Sequence, residues 1–257
     1  MNKEELKGRV EEMLDREIRT LEYYFELYED LAAERDDLHN SIIHTILNRQ
    51  VYSKNKQIYM LGGAPANGKS AFVRSRIVKY PDSALKIDPD EIKRMLPEYE
   101  YMLDIREPDA AAIVHEESSY LSKNLRQIAI AEEIDLILDG VANDSFEKRK
   151  EDLESLKANG HHVRIDYVTL DTQLSLQLAE IRFQQTGRQV PETFIREAGR
   201  NLVALIPQLI NNQLFEELYL WDTNLEKEPR LILSQKNGIL EVLNETLYEN
   251  FKKKEND

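Results

Sequence analysis

The sequence predicts an α/β protein in which a largely parallel sheet is flanked by helices and preceded by an N-terminal helical segment. Three observations carry this expectation. From residue 57 onward, short apolar runs alternate with longer segments of helical periodicity, the arrangement that buries strands between helices. A glycine-rich turn separates the first apolar run from the first helical segment. Before residue 50 the chain has no proline and, after Gly8, no glycine, while apolar residues recur at steps of three and four.

In chain order, Leu14, Ile18, Leu21, Phe25, Tyr28 and Leu31 fall on one face of an amphipathic helix. A second helical stretch is expected over residues 38–47, with Glu34, Arg35, Asp36 and Asp37 marking the bend before it. Apolar runs at 57–62, 84–88, 134–139, 163–168, 217–221 and 231–233 read as strands. Helical patterns fill most of the intervals, at 69–79, 109–132, 145–159, 172–185, 191–214 and 237–251. The expected organisation is a helical segment over residues 1–50, an α/β domain over 51–251 and a disordered tail over 252–257.

A chain of 257 residues is long enough to bury a substantial core, and 41% hydrophobic residues lies near the globular range. Its 34 Lys and Arg against 48 Asp and Glu give a net charge of −14, a field that repels nucleic-acid backbones and leaves room only for a local basic pocket. Nucleic acid is therefore not an expected partner. The absence of cysteine excludes thiolate catalysis, Cys-ligated zinc and disulfides. The charged N-terminus lacks the apolar core of a signal peptide, and no apolar run reaches membrane-spanning length. A soluble, cytoplasmic protein with no membrane partner is the expectation.

Residues 63–70, Gly63-Ala64-Pro65-Ala66-Asn67-Gly68-Lys69-Ser70, match G-x-x-x-x-G-K-[ST]. Glycines let the backbone fold around a phosphate, the lysine reaches the β/γ-oxygens, and the hydroxyl meets Mg²⁺. The context is the one this chemistry requires, since the loop follows an apolar strand and opens a helix. The fold class becomes a P-loop NTPase or kinase fold, with ATP and Mg²⁺ as ligands and Gly63 through Ala71 as the nucleotide-binding segment. His161 and His162 are adjacent and have no spaced partner, so they read as a loop entering the fourth strand and not as a metal site. Tyr23, Tyr24, Phe25 and Tyr28 read as core residues.

Beyond the loop, the chain resembles the zeta-toxin family of P-loop kinases, the toxin half of epsilon/zeta toxin–antitoxin systems. The likeness rests on GGAPANGKS, IDPDEIKRMLPEY, VHEESSYLSKNL, LILDG, IRF with GRQVP, and LWDTN, in that order from about residue 59 to residue 233. It implies an ATP-dependent kinase that phosphorylates a nucleotide-sugar hydroxyl, the 3′-hydroxyl of UDP-N-acetylglucosamine above all, and so acts as a toxin on cell-wall synthesis. It also implies a neutralising helical antitoxin, either an epsilon-type partner in trans or the N-terminal helices in cis. The alternative for those helices is that they pack on the kinase. Val141-Ala142-Asn143 departs from the family where its best-known member has a substrate-contacting Thr, which leaves a nucleoside, NAD or an antibiotic as alternative acceptors.

Asp90 aligns with the family's catalytic base. An acid just past the second strand lies on the edge of the sheet that carries the phosphate loop, where it accepts a proton from an attacking hydroxyl. Asp88 before Pro89 has the signature of a helix cap and is assigned to structure or to positioning the hydroxyl. Arg182 and Arg188 align with the family's two phosphate-contacting arginines, Arg188 in a loop able to close over ATP. Glu116 and Ser118 resemble the substrate-recognition segment. Asp139, which ends the third strand, resembles the acid that holds Mg²⁺ together with Ser70 and is also placed near substrate.

Overall fold

The structure, a computed structural model, describes residues 2–140, 145–186, 190–224 and 228–256. The chain begins with α1 (Lys3–Asp15), capped by the Asn2 side chain, which accepts the Glu5 N–H at 2.9 Å. The short α2 (Thr20–Glu22) runs into a π turn over Tyr23–Leu27, a 3-10 turn follows over Glu29–Leu31, and α3 (Ala32–Leu47) completes the segment. The breaks therefore fall near Glu17, which has a positive φ of 54°, and near Tyr28, while Glu34 to Asp37 lie inside α3. The charged tetrad does not bend the chain because Arg35 is drawn into the interior by two carboxylates, Glu98 and Glu117.

After β1 (Gln57–Gly62) come α4 (Lys69–Ser75), β2 (Leu85–Ile87) and four helices, α5 (Pro89–Lys93), α6 (Pro97–Asp104), α7 (Ala110–Ile113) and α8 (His115–Ala131). Next are β3 (Leu136–Asp139), α9 (Phe146–Ala158), β4 (His162–Thr169), α10 (Thr172–Thr186), α11 (Glu192–Asn212) and β5 (Glu217–Asp222). The chain closes with β6 (Arg230–Lys236), β7 (Ile239–Val242) and α12 (Glu245–Lys253). The seven strands form one sheet in the order β2-β3-β1-β4-β5-β6-β7. β1 pairs in parallel with β3 and β4, and β4 with β5; β6 and β7 add on antiparallel. Consecutive residues from Ile165 to Thr169 are buried, so β4 is covered on both faces although Arg164 and Asp166 interrupt its apolar residues.

The chain divides into two compact units. One joins Met1–Ser53 to Ile87–Glu133 and is helical; the other joins Lys54–Lys86 to Ile134–Asp257 and holds the sheet. This corrects the expected boundary at residue 50. The composition changes there, but the packing does not: the N-terminal helices share their core with the helices that follow β2, α1 packing with α6 and α3 with α8.

The C-terminal region departs from expectation twice. Residues 237–251 do not form one helix, because Asn237 and Gly238 take positive φ values of 50° and 78° and turn the chain between β6 and β7. Asn-Gly is the strongest two-residue hairpin signal, and it overrides the helical periodicity around it. Nor is the tail disordered over its described length. Lys252 and Lys253 end α12, Lys254–Asn256 form a 3-10 turn, and Lys254 is 8% exposed, donating to Thr169 Oγ1 at 2.7 Å and to the Leu170 carbonyl. Its ammonium is buried because the end of β4 offers oxygens to receive it.

Candidate active site

In the sheet unit, β1 delivers the chain into the phosphate loop across a surface with no room for side chains. A Cβ on Gly62 would lie 2.4 Å from the Tyr167 ring, and one on Gly63, whose φ is +152°, would lie 2.6 Å from the Val168 carbonyl oxygen. Ala66 and Gly68 also have positive φ values, 59° and 77°, so the loop from Gly63 through Ala64, Pro65, Ala66, Asn67 and Gly68 folds back on itself before Lys69, Ser70 and Ala71 open α4. Asn67, 2% exposed, ties this turn to its surroundings. Its Oδ1 accepts from Ser175 Oγ at 2.8 Å, its carbonyl accepts from Thr223 Oγ1 at 2.5 Å, and its N–H donates to the Ala64 carbonyl at 3.3 Å. The loop is thereby pinned to α10 and to the end of β5. Below it, Phe72 packs with Leu61, Val168 and Trp221 and fixes α4 on the sheet.

Lys69 donates to the Gly63 carbonyl at 3.2 Å, so its ammonium lies back across the loop, where a phosphate chain needs a cation. Asp139 pairs in register with Leu61, and the Gly140 N–H donates to the Leu61 carbonyl at 2.9 Å, which sets this exposed acid beside the strand that feeds the loop. Ser70 is exposed in the first turn of α4. These residues fit a nucleotide with Mg²⁺: backbone turned for close approach, one cation, one hydroxyl and one acid. Among the described residues no group of three or more His, Asp or Glu could hold a metal ion. Arg182 is exposed on α10, and Arg188 lies outside the described residues, as do residues 141–143.

At the carboxyl ends of β4 and β5 a cavity of about 460 Å³ opens between Thr169, Asp171, Asp222, Arg230, Lys253 and Lys254. Its position follows the rule that ligands of open α/β sheets bind outside the carboxyl ends of the strands. Its C-terminal wall is not legible from the sequence, where Lys253 and Lys254 read as part of a disordered tail.

The remaining candidates lie in the helical unit. Asp88 caps α5, its Oδ1 accepting the Asp90 N–H at 3.1 Å, with Pro89 in the first turn. Asp90 is exposed in that turn, and its Oδ1 accepts from Lys93 Nζ at 2.9 Å. Glu116 is exposed near the start of α8 and is bonded by Arg19 of the N-terminal segment. Ser118, expected near the substrate, is fully buried, and its hydroxyl donates to the His115 carbonyl at 2.9 Å. Helical geometry separates the pair, because residues two apart point to different faces.

Beside Ser118, Glu117 forms the centre of a buried ionic cluster that sequence reasoning missed. Arg35 donates to Glu117 at 2.5 and 2.7 Å and to Glu98 at 2.8 and 3.0 Å, His39 Nε2 lies 2.6 Å from Glu117, and the Tyr24 hydroxyl donates to Glu98 at 2.6 Å. Burial alone would raise the Glu117 carboxyl, but the hydrogen bonds from His39 and Arg35 together outweigh it and bring it down to about 2. The partners are 63 to 82 residues apart in sequence, so no local pattern announces them.

No curated protein matches the chain by sequence. Among solved structures, AvrRxo1-ORF1 in complex with AvrRxo1-ORF2 and sulphate superposes with a TM-score of 0.66 at 18% identity, covering 85% of this chain and 72% of that one. The corresponding complex with ATP gives 0.65 at 16%, with 86% and 73% covered. A structure from the PezAT chromosomal toxin–antitoxin system of the human pathogen Streptococcus pneumoniae gives 0.64 at 15%, with 87% and 96% covered. At these identities the likeness is one of fold. The zeta toxin family model, however, matches residues 43–228, most of the chain and all of the phosphate loop. A phosphate loop at the carboxyl end of an interior strand of a mostly parallel sheet and a family match of that extent lead to one conclusion: the chain belongs to the zeta toxin family of kinase-like toxins.

Proposed function

We propose that the protein is an ATP-dependent kinase that transfers the γ-phosphate to a hydroxyl of a nucleotide sugar, the 3′-hydroxyl of UDP-N-acetylglucosamine first, and thereby acts as a toxin on cell-wall synthesis. The observation that carries this reading is the pinned loop with Lys69 lying across it, in a chain of the zeta toxin family. The acceptor oxygen attacks the γ-phosphorus, the bond to the bridging oxygen of ADP breaks, and the hydroxyl proton passes to the Asp90 carboxylate. Lys69, Arg182 and Arg188 balance the charge on the phosphoryl oxygens. Ser70 and Asp139 would hold Mg²⁺, which would supply further neutralisation of the phosphates. Asp88, Glu116 and Asp139 face the acceptor in this scheme. The cavity at the ends of β4 and β5 has room for the base and ribose of ATP.

Toxin–antitoxin complexes among the structural relatives support a neutralising partner in trans. One observation favours a second reading, restraint in cis: Arg19, from the N-terminal segment, occupies Glu116.

The test is incubation with ATP-Mg²⁺ and a panel of nucleotide sugars, nucleosides, NAD and aminoglycoside antibiotics, followed by mass spectrometry for a gained phosphate. UDP-N-acetylglucosamine should gain one, and Lys69→Ala and Asp90→Ala should each abolish it. Phosphate transfer that survives both substitutions, or a native protein that phosphorylates nothing, would overturn the reading.

A further inference from the structure

The cavity of about 460 Å³ at the carboxyl ends of β4 and β5 lies within the sheet unit. One of its walls is built by a part of the chain beyond the residues 43–228 that the family model matches: Arg230 at the start of β6, and Leu247, Asn250, Phe251, Lys253 and Lys254 on α12 and the turn after it. Leu247, Asn250, Phe251 and Lys254 fall at steps of three and four, so they form one stripe along α12 and into the turn. The helix starts where Asn244 caps it, its Oδ1 accepting the Leu247 N–H at 3.0 Å. A stripe that served only to pack would be apolar throughout. Here Phe251, which is buried, anchors it, while Asn250 and the adjoining Lys253 are exposed and line the cavity.

This wall is tied to the same strand ends that hold the phosphate loop. Lys254 donates to Thr169 Oγ1 at 2.7 Å and to the Leu170 carbonyl. The Thr169 carbonyl accepts the Thr223 N–H at 2.9 Å, and Thr223 Oγ1 donates to the Asn67 carbonyl of the loop at 2.5 Å. The loop and the cavity therefore share their support at the carboxyl end of the sheet, where ligands of such sheets bind. The lining suits a nucleoside better than further phosphate. Asp171 and Asp222 place two carboxylates in it: Asp171 Oδ1 accepts the Gln173 and Leu174 N–H groups at 2.9 and 3.1 Å, and Asp222 accepts from Arg230 at 2.6 Å. Ile232 and Leu247 add apolar surface, and a few hydrogen-bonding groups set on such a surface are what a ribose and a base require.

We infer that the C-terminal element of residues 245–256 is the nucleoside-binding wall of the site, with Asn250 and Lys253 as specificity-determining contacts to the ribose and base and Lys254 as the residue that holds the wall in place. The inference rests on ATP occupying the phosphate loop. It makes recognition of the nucleoside half of ATP depend on a segment outside the family-matched part of the chain.

Calorimetric titration of the intact chain with ATP-Mg²⁺ and, separately, with inorganic triphosphate and Mg²⁺ divides contacts to the nucleoside from contacts to phosphate. The native protein should bind ATP at least about tenfold more tightly than triphosphate. The double variant Asn250→Ala/Lys253→Met should weaken ATP binding by about tenfold and triphosphate binding by less than about threefold, since it deletes hydrogen-bonding groups that triphosphate does not reach. Lys252→Met is the charge-matched control: Lys252 is exposed, paired with Glu249 and outside the cavity lining, so its loss should change neither constant by more than about twofold. Unchanged ATP binding in the double variant, equal losses for the two ligands, or the same loss from Lys252→Met overturns the wall. A native protein that binds triphosphate as tightly as ATP also overturns it and leaves the kinase reading standing, whereas a native protein that binds neither ligand overturns that reading and the wall with it. Both substituted side chains are exposed, so the fold is expected to survive; should the double variant unfold, Asn250→Ala alone, carried through the same two titrations, decides by the same criteria.

Discussion

Glu117 has no exposed surface, yet its carboxyl is held down to about 2 against an ordinary value of 4.5. A carboxylate depressed in the folded state stabilises the fold above its unfolded value and loses that contribution as pH falls through its folded value. The window here runs from about pH 4.5 down to about pH 2, and the shift corresponds to roughly 3 kcal/mol. Glu117→Gln should therefore lower the urea midpoint most at pH 6 to 7, with the gap to the native protein closing as pH approaches 2; a gap independent of pH would mean that the charge contributes nothing. Residues like this one mark the limit of what the sequence makes legible. Lys69, Gly63 and Gly68 can be read because phosphate binding needs them within one contiguous loop, so the motif is the site. Glu117, Arg35 and Glu98 acquire their meaning only from one another, across long separations.

At the scale of elements, the strands were legible because a sheet covered on both faces demands short apolar runs, and β1, β4 and β5 fall where those runs lie. The hairpin of β6 and β7 was not, because Ile239 to Val242 is too short to set a period against the helix that follows it. The N-terminal helices pose the sharper question, since their sequence favours a packed layer and leaves a restraint in cis as the alternative. Their contacts weigh toward packing. Val10, Met13, Tyr24, Ile42 and Ile46 are buried, and Arg35 neutralises two carboxylates with no exposed surface. Deleting residues 1–47 would leave both acids unpaired, at about 3–5 kcal/mol, on top of the lost apolar burial, against a total stability of about 5–15 kcal/mol for a typical domain. The expected result is insoluble or unfolded protein, not a hyperactive enzyme; a soluble deletion with raised activity would refute the packing account. Restraint in cis is better examined at one exposed contact. Arg19→Ala frees Glu116 without touching the core, and any gain in acceptor turnover from it reports on restraint alone.

For the whole molecule, the division into two units sorts the proposed chemistry. Lys69, Ser70, Asp139 and Arg182 belong to the sheet unit, whereas Asp88, Asp90 and Glu116 belong to the helical unit built from the N-terminal helices and residues 87–133. The net charge of −14 described the exterior of both and said nothing of this partition. A sheet that binds nucleotide through backbone and a few cations needs no help from the other unit to recognise phosphates, and acids on α5 and α8 have the hydrogen-bonding character suited to a sugar hydroxyl and not to a phosphate. Substitutions should accordingly separate by unit. Lys69→Ala should weaken ATP binding at least about tenfold by calorimetry, since it removes a charge-assisted contact to phosphate. Glu116→Ala should leave the ATP dissociation constant within about twofold while raising the acceptor KM by about tenfold or more, the pattern of a lost ground-state contact to one substrate. If Glu116→Ala weakened ATP binding as much as Lys69→Ala does, the two units would not divide the substrates between them, and the assignment of the helical unit to the acceptor would fail.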